Sequence, residues 1–128
     1  MKLFRNITPE YVDERGGITM ILDENVPIQS VLWITCKKGS VRANHYHKKD
    51  THYSYMVSGS MEYFEKPVGT ADNVKPEMVI VKTGDIVFTP SMHMHAMKFL
   101  EDSVFIAFAT ESRHQADYES DTVRVKLI

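Results

Sequence analysis

Short apolar segments separated by turn residues make up most of this chain. The segments are rich in Val, Ile, Tyr and Phe, and Gly, Pro, Asn and Asp divide them. This pattern is typical of β-strands joined by tight turns. Strands are predicted at Ile18–Leu22, Ile28–Cys36, Val41–His47, Tyr53–Val57, Met61–Glu65, Glu77–Val81, Ile86–Thr89, Met94–Phe99, Val104–Thr110 and Thr122–Leu127.

Helical signals are nearly missing from the same pattern. No long helical periodicity and no tandem repeat is found, and only Thr8-Pro9-Glu10 has the residues that open a helical turn. Many short strands with turn signals indicate a sandwich or a barrel. Trp33 lies at the centre of an apolar strand and is predicted to be in the core, whereas Lys48, Lys49 and Asp50 are predicted to form a charged hairpin turn.

Composition and charge exclude several classes of partner. A chain of 128 residues is expected to form one domain, 1–128. The net charge is −2 and no stripe of Lys and Arg is present, which argues against a nucleic-acid partner. No apolar run approaches the ~20 residues of a membrane span, and the N-terminus lacks the apolar core of a signal peptide. Cys36 is the only cysteine, so an internal disulfide is excluded. We therefore expect a cytoplasmic protein.

Five of the six histidines fall in two short segments, 45–52 and 93–95. Side chains two apart on a strand point to the same face, about 6.5–7 Å apart at the backbone, so two imidazoles can share one ligand. Imidazole binds zinc, nickel and iron, and it titrates near neutral pH. The two segments therefore predict one site for metal or proton chemistry, assembled from distant strands.

The spacing of these histidines resembles the two motifs of the cupin superfamily. His52 stands where the family has Glu, and Met92 stands where it has Gly. The matching residues are Gly39, His45, His47, Gly59, Gly84, Pro90 and His95. The resemblance implies an all-β fold, a double-stranded β-helix or jelly-roll barrel, with the motif-bearing barrel at about residues 28–110 and flanking terminal strands.

The same resemblance implies a divalent ion inside the barrel. Carried over from the family, the ligands would be His45, His47 and His95, with His52 in place of the Glu. Imidazole is as competent a ligand as carboxylate, and zinc, nickel, iron and manganese all remain open. Four neutral ligands cancel none of the ion's charge, which favours a bound hydroxide or an anionic substrate group. His93 is the candidate for moving a proton.

A second resemblance, to the sugar 3,4-ketoisomerases among the cupins, extends over a longer stretch. The departures are Ala43, Tyr46, His52, Met94 and Ala96. The matching residues are Arg42, His45, His47, Lys48, His95, Met97, Asp117 and Tyr118. The ketoisomerases need no metal, so the resemblance points to sugar chemistry but not to the mechanism implied by the extra histidine. Arg42 is a candidate for binding a phosphate or carboxylate.

We therefore expect a metal-binding cupin enzyme that acts on a small, polar, carbohydrate-like substrate by isomerase- or epimerase-type proton transfer. Three alternatives stay open at this point: a metal-free nucleotide-sugar ketoisomerase or epimerase, a metal-dependent dioxygenase, and a non-catalytic sugar- or metabolite-binding cupin. The expected partners are the small-molecule substrate and, from the resemblance, a second copy in a homodimer. Segment 3–7 is a candidate edge for that dimer, because a small open barrel leaves strand edges to cover.

Overall fold

Alternating burial along the strands explains how two sheets close over one interior. The computed structural model describes all residues, 1–128. Its elements are β1 (Lys2–Phe4), β2 (Tyr11–Asp13), β3 (Gly16–Ile18), β4 (Ser30–Cys36), β5 (Val41–His47), β6 (His52–Ser58), β7 (Ser60–Pro67), β8 (Glu77–Lys82), β9 (Ile86–Thr89), β10 (His93–Phe99), β11 (Ser103–Ala109), α1 (Gln115–Asp121) and β12 (Thr122–Arg124).

The strands form two five-stranded antiparallel sheets and one separate hairpin. The first sheet has the order β1-β9-β6-β11-β4, the second has the order β12-β5-β10-β7-β8, and β2 pairs only with β3. Neighbouring strands in each sheet are mostly distant in sequence, as they are in a jelly roll. The predicted jelly-roll barrel is therefore confirmed.

The core lies between the two sheets, where every second side chain points inward. Along β11, for example, buried and half-buried residues alternate without interruption. The residues that pack together in this interior are Cys36, Met56, Met61, Tyr63, Val81, Val87, Met97, Phe99, Phe105 and Ala107. All of them except Tyr63 lack a hydroxyl or charge, so most of the barrel interior is stabilised by burial of apolar surface.

Three expectations at the N-terminal end and in β4 are wrong. Residues 19–29 form no strand, and β3 ends at Ile18. No helical turn forms at residues 8–10, where the chain leads directly into β2. Trp33 is 64% exposed, because it alternates along β4 with Leu32 and Ile34, which pack against the core instead.

The C-terminal segment also differs from the predicted pattern. The expected strand over residues 122–127 ends at Arg124, and a seven-residue helix, α1, precedes it. This helix buries no residue, because its sequence carries no apolar stripe. Such a stripe is the signal from which a helix is predicted. With seven residues, α1 is too short to span a bilayer, and the structure holds no other helix that could.

The N-terminal strand covers an edge of its own barrel. β1 pairs with β9 along the outer side of the first sheet, and Ile7 donates its backbone N–H to the carbonyl oxygen of Gly84 at 2.8 Å. Segment 3–7, the expected dimer edge, is therefore used within the chain on one of its two sides. Its other side is the outermost edge of that sheet.

Candidate functional site

A bulge in β5 determines which of its side chains enter the barrel. His45 pairs with His95 of β10, but the next residue of β10, Ala96, pairs with Ala43, so Asn44 is an extra residue in the strand. Ala43 and Asn44 both have left-handed backbone angles, with φ of +67° and +56°. The extra residue shifts the alternation, and Arg42 therefore lines the same cavity as His45, three residues further on.

Four histidine rings meet in that cavity. The ring centroid of His45 lies 4.6 Å from that of His47 and 4.7 Å from that of His95. The His52 centroid is 5.2 Å from His95 and 5.6 Å from His47. All four side chains are buried. The structure thus brings together the residues predicted from both sequence segments.

The four rings divide into two overlapping groups. One ligand atom from each of His45, His47 and His95 lies within 4.8 Å of the others. His52 belongs instead to a second group with His47 and Asp50, at the same limit of separation. His52 therefore does not belong to the group formed by His45, His47 and His95.

Hydrogen bonds fix the orientation of three of these rings. His95 donates from Nδ1 to the backbone carbonyl oxygen of His93 at 3.0 Å, and His52 donates from Nδ1 to the Asp50 carboxylate at 3.1 Å. The Thr122 hydroxyl donates its own proton to the carbonyl oxygen of Tyr118 at 2.5 Å, so it accepts from His47 Nδ1 at 3.2 Å. In each ring the proton is thereby placed on Nδ1, and Nε2 keeps its lone pair.

Burial keeps the four imidazoles neutral at neutral pH. It lowers the pKa of His45 to about 4 and that of His47 to about 3, and repulsion from neighbouring histidines and Arg113 adds to the effect. Burial, with repulsion from His52, His45 and His47, takes the pKa of His95 well below its ordinary value. Burial also lowers the pKa of His52, although the hydrogen bond to Asp50 opposes that shift.

Asp50 and Arg113 are parts of the site that the sequence did not indicate. Asp50 was predicted to lie in a charged hairpin turn, but its carboxylate is buried beside His52, and Arg113 Nη2 donates to it at 2.9 Å. Burial alone would raise the pKa of Asp50, yet the hydrogen bond to His52 and the nearby positive charge lower it. The one available signal was that Asp50 lies two residues before His52, a spacing at which two side chains can face the same side. Nothing in the sequence places Arg113, which lies in the loop before α1.

The cavity itself is small and lacks acidic side chains at its wall. Its volume is about 110 Å³. Tyr118 closes one side, with its ring centroid 5.7 Å from that of His47. The lining residues are Ile34, Arg42, Ala43, His45, His47, His52, Ser54, His95, Met97, Phe105, Ala107, Arg113 and Tyr118. Such a wall suits a small polar or anionic ligand.

The comparisons with known proteins agree with this architecture. The family model described as "Cupin" matches residues 8–124 of the chain. The chain belongs to the cupin family. No curated protein matches it in sequence.

Solved structures that resemble this cupin include enzymes of sugar metabolism. A double mutant of QdtA, a 3,4-ketoisomerase from Thermoanaerobacterium thermosaccharolyticum in complex with TDP, aligns with a TM-score of 0.72 and 23% identity over 96% of this chain and 86% of that one. A 3,4-ketoisomerase from Helicobacter canadensis gives 0.74 and 18%, over 96% and 89%. A dTDP-4-dehydrorhamnose 3,5-epimerase from Sulfolobus tokodaii gives 0.67 and 18%, over 88% and 70%. At these identities the likeness establishes the shared fold.

The remaining predicted residues of this cupin lie at the border of the cavity or outside its lining. Arg42 donates from Nε to Cys36 Sγ at 3.2 Å and from Nη2 to the Thr35 carbonyl oxygen at 2.9 Å. The His93 side chain is 29% exposed, its Nδ1 lies 3.9 Å from the Glu65 carboxylate, and it is not among the lining residues. His93 reaches the site through its backbone carbonyl, which orients His95.

The donor set of this cupin fits a divalent first-row metal ion. His47 Nε2 is buried and has no hydrogen-bond partner, which is costly unless the atom serves a ligand. Neutral imidazoles with Nδ1 bound to an oxygen acceptor are the usual arrangement of histidines around a metal. His45, His47 and His95 are the residues that could hold such an ion, and His52 with Asp50 forms a buried acid–base pair beside them.

Proposed function

We propose that this cupin is an enzyme that acts on a small, polar, carbohydrate-like substrate by an isomerase- or epimerase-type proton transfer. A divalent ion, held by His45, His47 and His95, serves as its cofactor. The observation that carries the proposal is the fixed orientation of the rings in the cavity, with Nδ1 of His47, His52 and His95 bound to acceptors and Nε2 free. The ketoisomerases and the epimerase that share the fold support a carbohydrate substrate.

The residues divide the work between charge stabilisation and proton transfer. Enolisation needs both a positive centre near the carbonyl oxygen and a base near the adjacent carbon. When bound, the ion supplies Lewis acidity, which favours negative charge on a nearby oxygen. The sequence suggested His93 as the base and His52 as a fourth ligand. The positions of the two side chains favour His52 as the base instead.

His52 has the features of a general base. Its Nδ1–H is bound to the Asp50 carboxylate, which orients the ring and stabilises the imidazolium that forms when Nε2 takes a proton. Its lowered pKa leaves it neutral and ready to accept a proton at neutral pH. Asp50 is in turn held by Arg113 and by the backbone N–H of Glu111, at 3.2 Å. The base is therefore supported on the side away from the cavity.

A second candidate function is a metal-free nucleotide-sugar ketoisomerase or epimerase. The resemblance of residues 42–48, 95–97 and 117–118 to the sugar 3,4-ketoisomerases favours it, and so does the unpartnered Nε2 of His47. His47 would then carry the proton, and Arg42 would bind a phosphate of the nucleotide. This alternative makes the opposite prediction about dependence on metal.

The test combines metal analysis with deuterium exchange. Protein purified without a nickel column is analysed for metal, and TDP-4-keto-6-deoxyglucose and simple keto sugars are followed by NMR in D₂O. We expect near-stoichiometric metal in the purified protein, and we expect deuterium uptake by the substrate. Deuterium uptake should be lost in chelator and in His52→Asn. The matched control, His114→Asn, alters an exposed histidine and should keep full exchange.

Three results would change the conclusion in different ways. Full exchange by metal-free protein in chelator would reject the metal cofactor and select the second candidate. Exchange that survives His52→Asn would reject His52 as the base. Absence of exchange with every compound, in protein that retains its metal, would reject the isomerase proposal.

A further inference from the structure

One guanidinium lies among the histidines with part of its hydrogen-bonding capacity unused. The Arg113 side chain is 15% exposed and lines the cavity beside His52. Its hydrogen bond to Asp50 leaves from Nη2, and its guanidinium carbon lies 5.4 Å from the centre of the Tyr118 ring. The Nε–H is buried and has no hydrogen-bond partner. An unsatisfied donor on a permanent cation is costly in a protein interior unless a ligand accepts from it.

The charges around the cavity favour an anion as that ligand. Arg42 and Arg113 are the only charged residues in its lining, and no carboxylate joins them. The Asp50 carboxylate lies beside His52, 4.0 Å from His47 Nε2, and is already bound by His52, Glu111 and Arg113. The four imidazoles are neutral because burial lowers each pKa. Asp50 offsets the charge of Arg113, so the surplus positive charge is that of Arg42, and no carboxylate in the lining opposes an anion before any metal binds.

The size of the cavity indicates which anion. A volume of about 110 Å³ matches a group of a few atoms next to the four rings. A planar carboxylate matches the donor geometry of a guanidinium. Arg42, which lies at the border with the outer surface, is better placed for a larger anionic group.

We propose that Arg113 binds a carboxylate of the substrate inside the cavity. This inference rests on the proposed function and deepens it: the substrate class becomes sugar acids and small hydroxy or keto acids. The carboxylate accepts from the Arg113 guanidinium on its cavity side, and the carbon next to it is thereby held beside His52. Arg113 is then the residue that selects acids over neutral sugars.

The test measures charge selectivity with pairs of compounds that differ in one group. Dissociation constants for lactate and lactamide, and for D-glucuronate and D-glucose, are determined by calorimetry on the protein as purified and after chelator treatment. We expect each acid to bind about tenfold or more tightly than its neutral partner, as a charge-assisted hydrogen bond requires. In Arg113→Gln this ratio should fall to near one, and Arg113→Lys should restore part of it.

The matched control removes the same charge outside the cavity. Arg124 is 61% exposed and paired with Glu119, and it does not line the cavity. Arg124→Gln should keep the acid-to-neutral ratio of the wild type. An unfolding midpoint for each variant distinguishes a loss of binding from a loss of folding. If Arg113→Gln is unstable, Arg113→Lys keeps the test valid.

Three outcomes would overturn the inference while leaving the proposed function in place. The first is equal binding of acids and neutral analogues by the wild type. The second is an unchanged ratio in Arg113→Gln. The third is weaker binding of TDP in Arg113→Gln with no change for lactate, which would assign Arg113 to a phosphate. By contrast, wild-type protein that contains no metal and catalyses no deuterium exchange would contradict the proposed function itself.

Discussion

The two ends of the barrel interior are built from the same strands but differ in chemistry. On β10, His95 faces one end, whereas Met97 and Phe99 continue the same face toward the other. On β6, His52 and Met56 show the same change. The alternation that buries these residues is common to both ends. The residue type alone decides whether the barrel is packed or holds a cavity.

The difference separates stability from binding within one small domain. The apolar end is filled: the Phe99 ring stacks there on Phe105, a residue of the cavity wall, at 6.0 Å between ring centroids. The histidine end retains an open cavity and a buried nitrogen with no partner. Filling by apolar side chains stabilises a fold, and unpaired polar atoms destabilise it. We therefore expect the apolar end to carry the stability and the histidine end to carry ligand binding.

The largest effect is expected for a cavity made at the apolar end. Phe99→Ala should lower the free energy of unfolding by about 3–5 kcal/mol, because it removes a fully buried ring that cannot be replaced by collapse of the sheets. His95→Ala, measured in chelator, should lower the free energy of unfolding clearly less. Burial of a polar imidazole removes less apolar surface from water than burial of a phenyl ring. Urea unfolding checks both. Equal losses would contradict the division between the two ends.

The second effect concerns metal affinity at the histidine end. His95→Gln should weaken zinc binding by about 100-fold or more, since it removes one of three ligands and its bond to the His93 carbonyl. Competition with a chromophoric chelator measures the affinity. Phe99→Leu should leave the affinity nearly unchanged. Unaltered zinc binding in His95→Gln would place the metal elsewhere.

The third effect is a loss of stability in mild acid. In metal-free protein the folded pKa of His45, about 4, is below the unfolded value of 6.5, so the unfolded chain binds more protons between these values. Stability is then complete above pH 6.5 and declines as the pH falls toward 4. The slope should be about 1.4 kcal/mol per pH unit for each histidine kept neutral. Urea midpoints from pH 7 to 5 give the slope.

A variant sharpens that measurement. His45→Leu should reduce the slope, because it removes one of the groups that must be protonated on unfolding. A midpoint that stays constant between pH 7 and pH 5 in the wild type would show that the buried rings are charged or accessible to water.

The smallest effect is expected at the bulge between the two ends. Ala43→Gly should stabilise the protein by about 0.5–1 kcal/mol, because Ala43 has a φ of +67° that glycine adopts without steric cost. Zinc affinity should stay the same, since the backbone path that places His45 is kept. Destabilisation by this change would mean that the Ala43 methyl group contributes more as part of the cavity wall than its backbone costs.

The sequence predicted the strands of the barrel well because both ends obey the same alternation. The bounds of β5 and β9 agree with the structure at both ends. The shared direction of His45 and His47 followed from spacing, since residues two apart on a strand share a face. Their convergence with His52 and His95 followed from the resemblance to the cupin motifs. These features depend on local periodicity, which a single sequence contains.

The missed features depend on contacts between distant segments. Asp50 is buried by Arg113, 63 positions later in the chain, and no local signal announces that pairing. Trp33 is exposed because its side chain lies on the outer face of β4, and the alternation of the strand alone does not tell which face meets the core. The bulge at residue 44 inverted the side on which Arg42 lies, without a glycine to mark it.

Anomalous diffraction from a crystal of the protein grown with zinc tests the central claim most directly. The account predicts one peak inside the barrel, about 2.0–2.1 Å from Nε2 of His45, His47 and His95, with each Nδ1 turned away from the ion. A peak bound through Nδ1, a peak outside the cavity, or no peak in crystals with saturating zinc would contradict it.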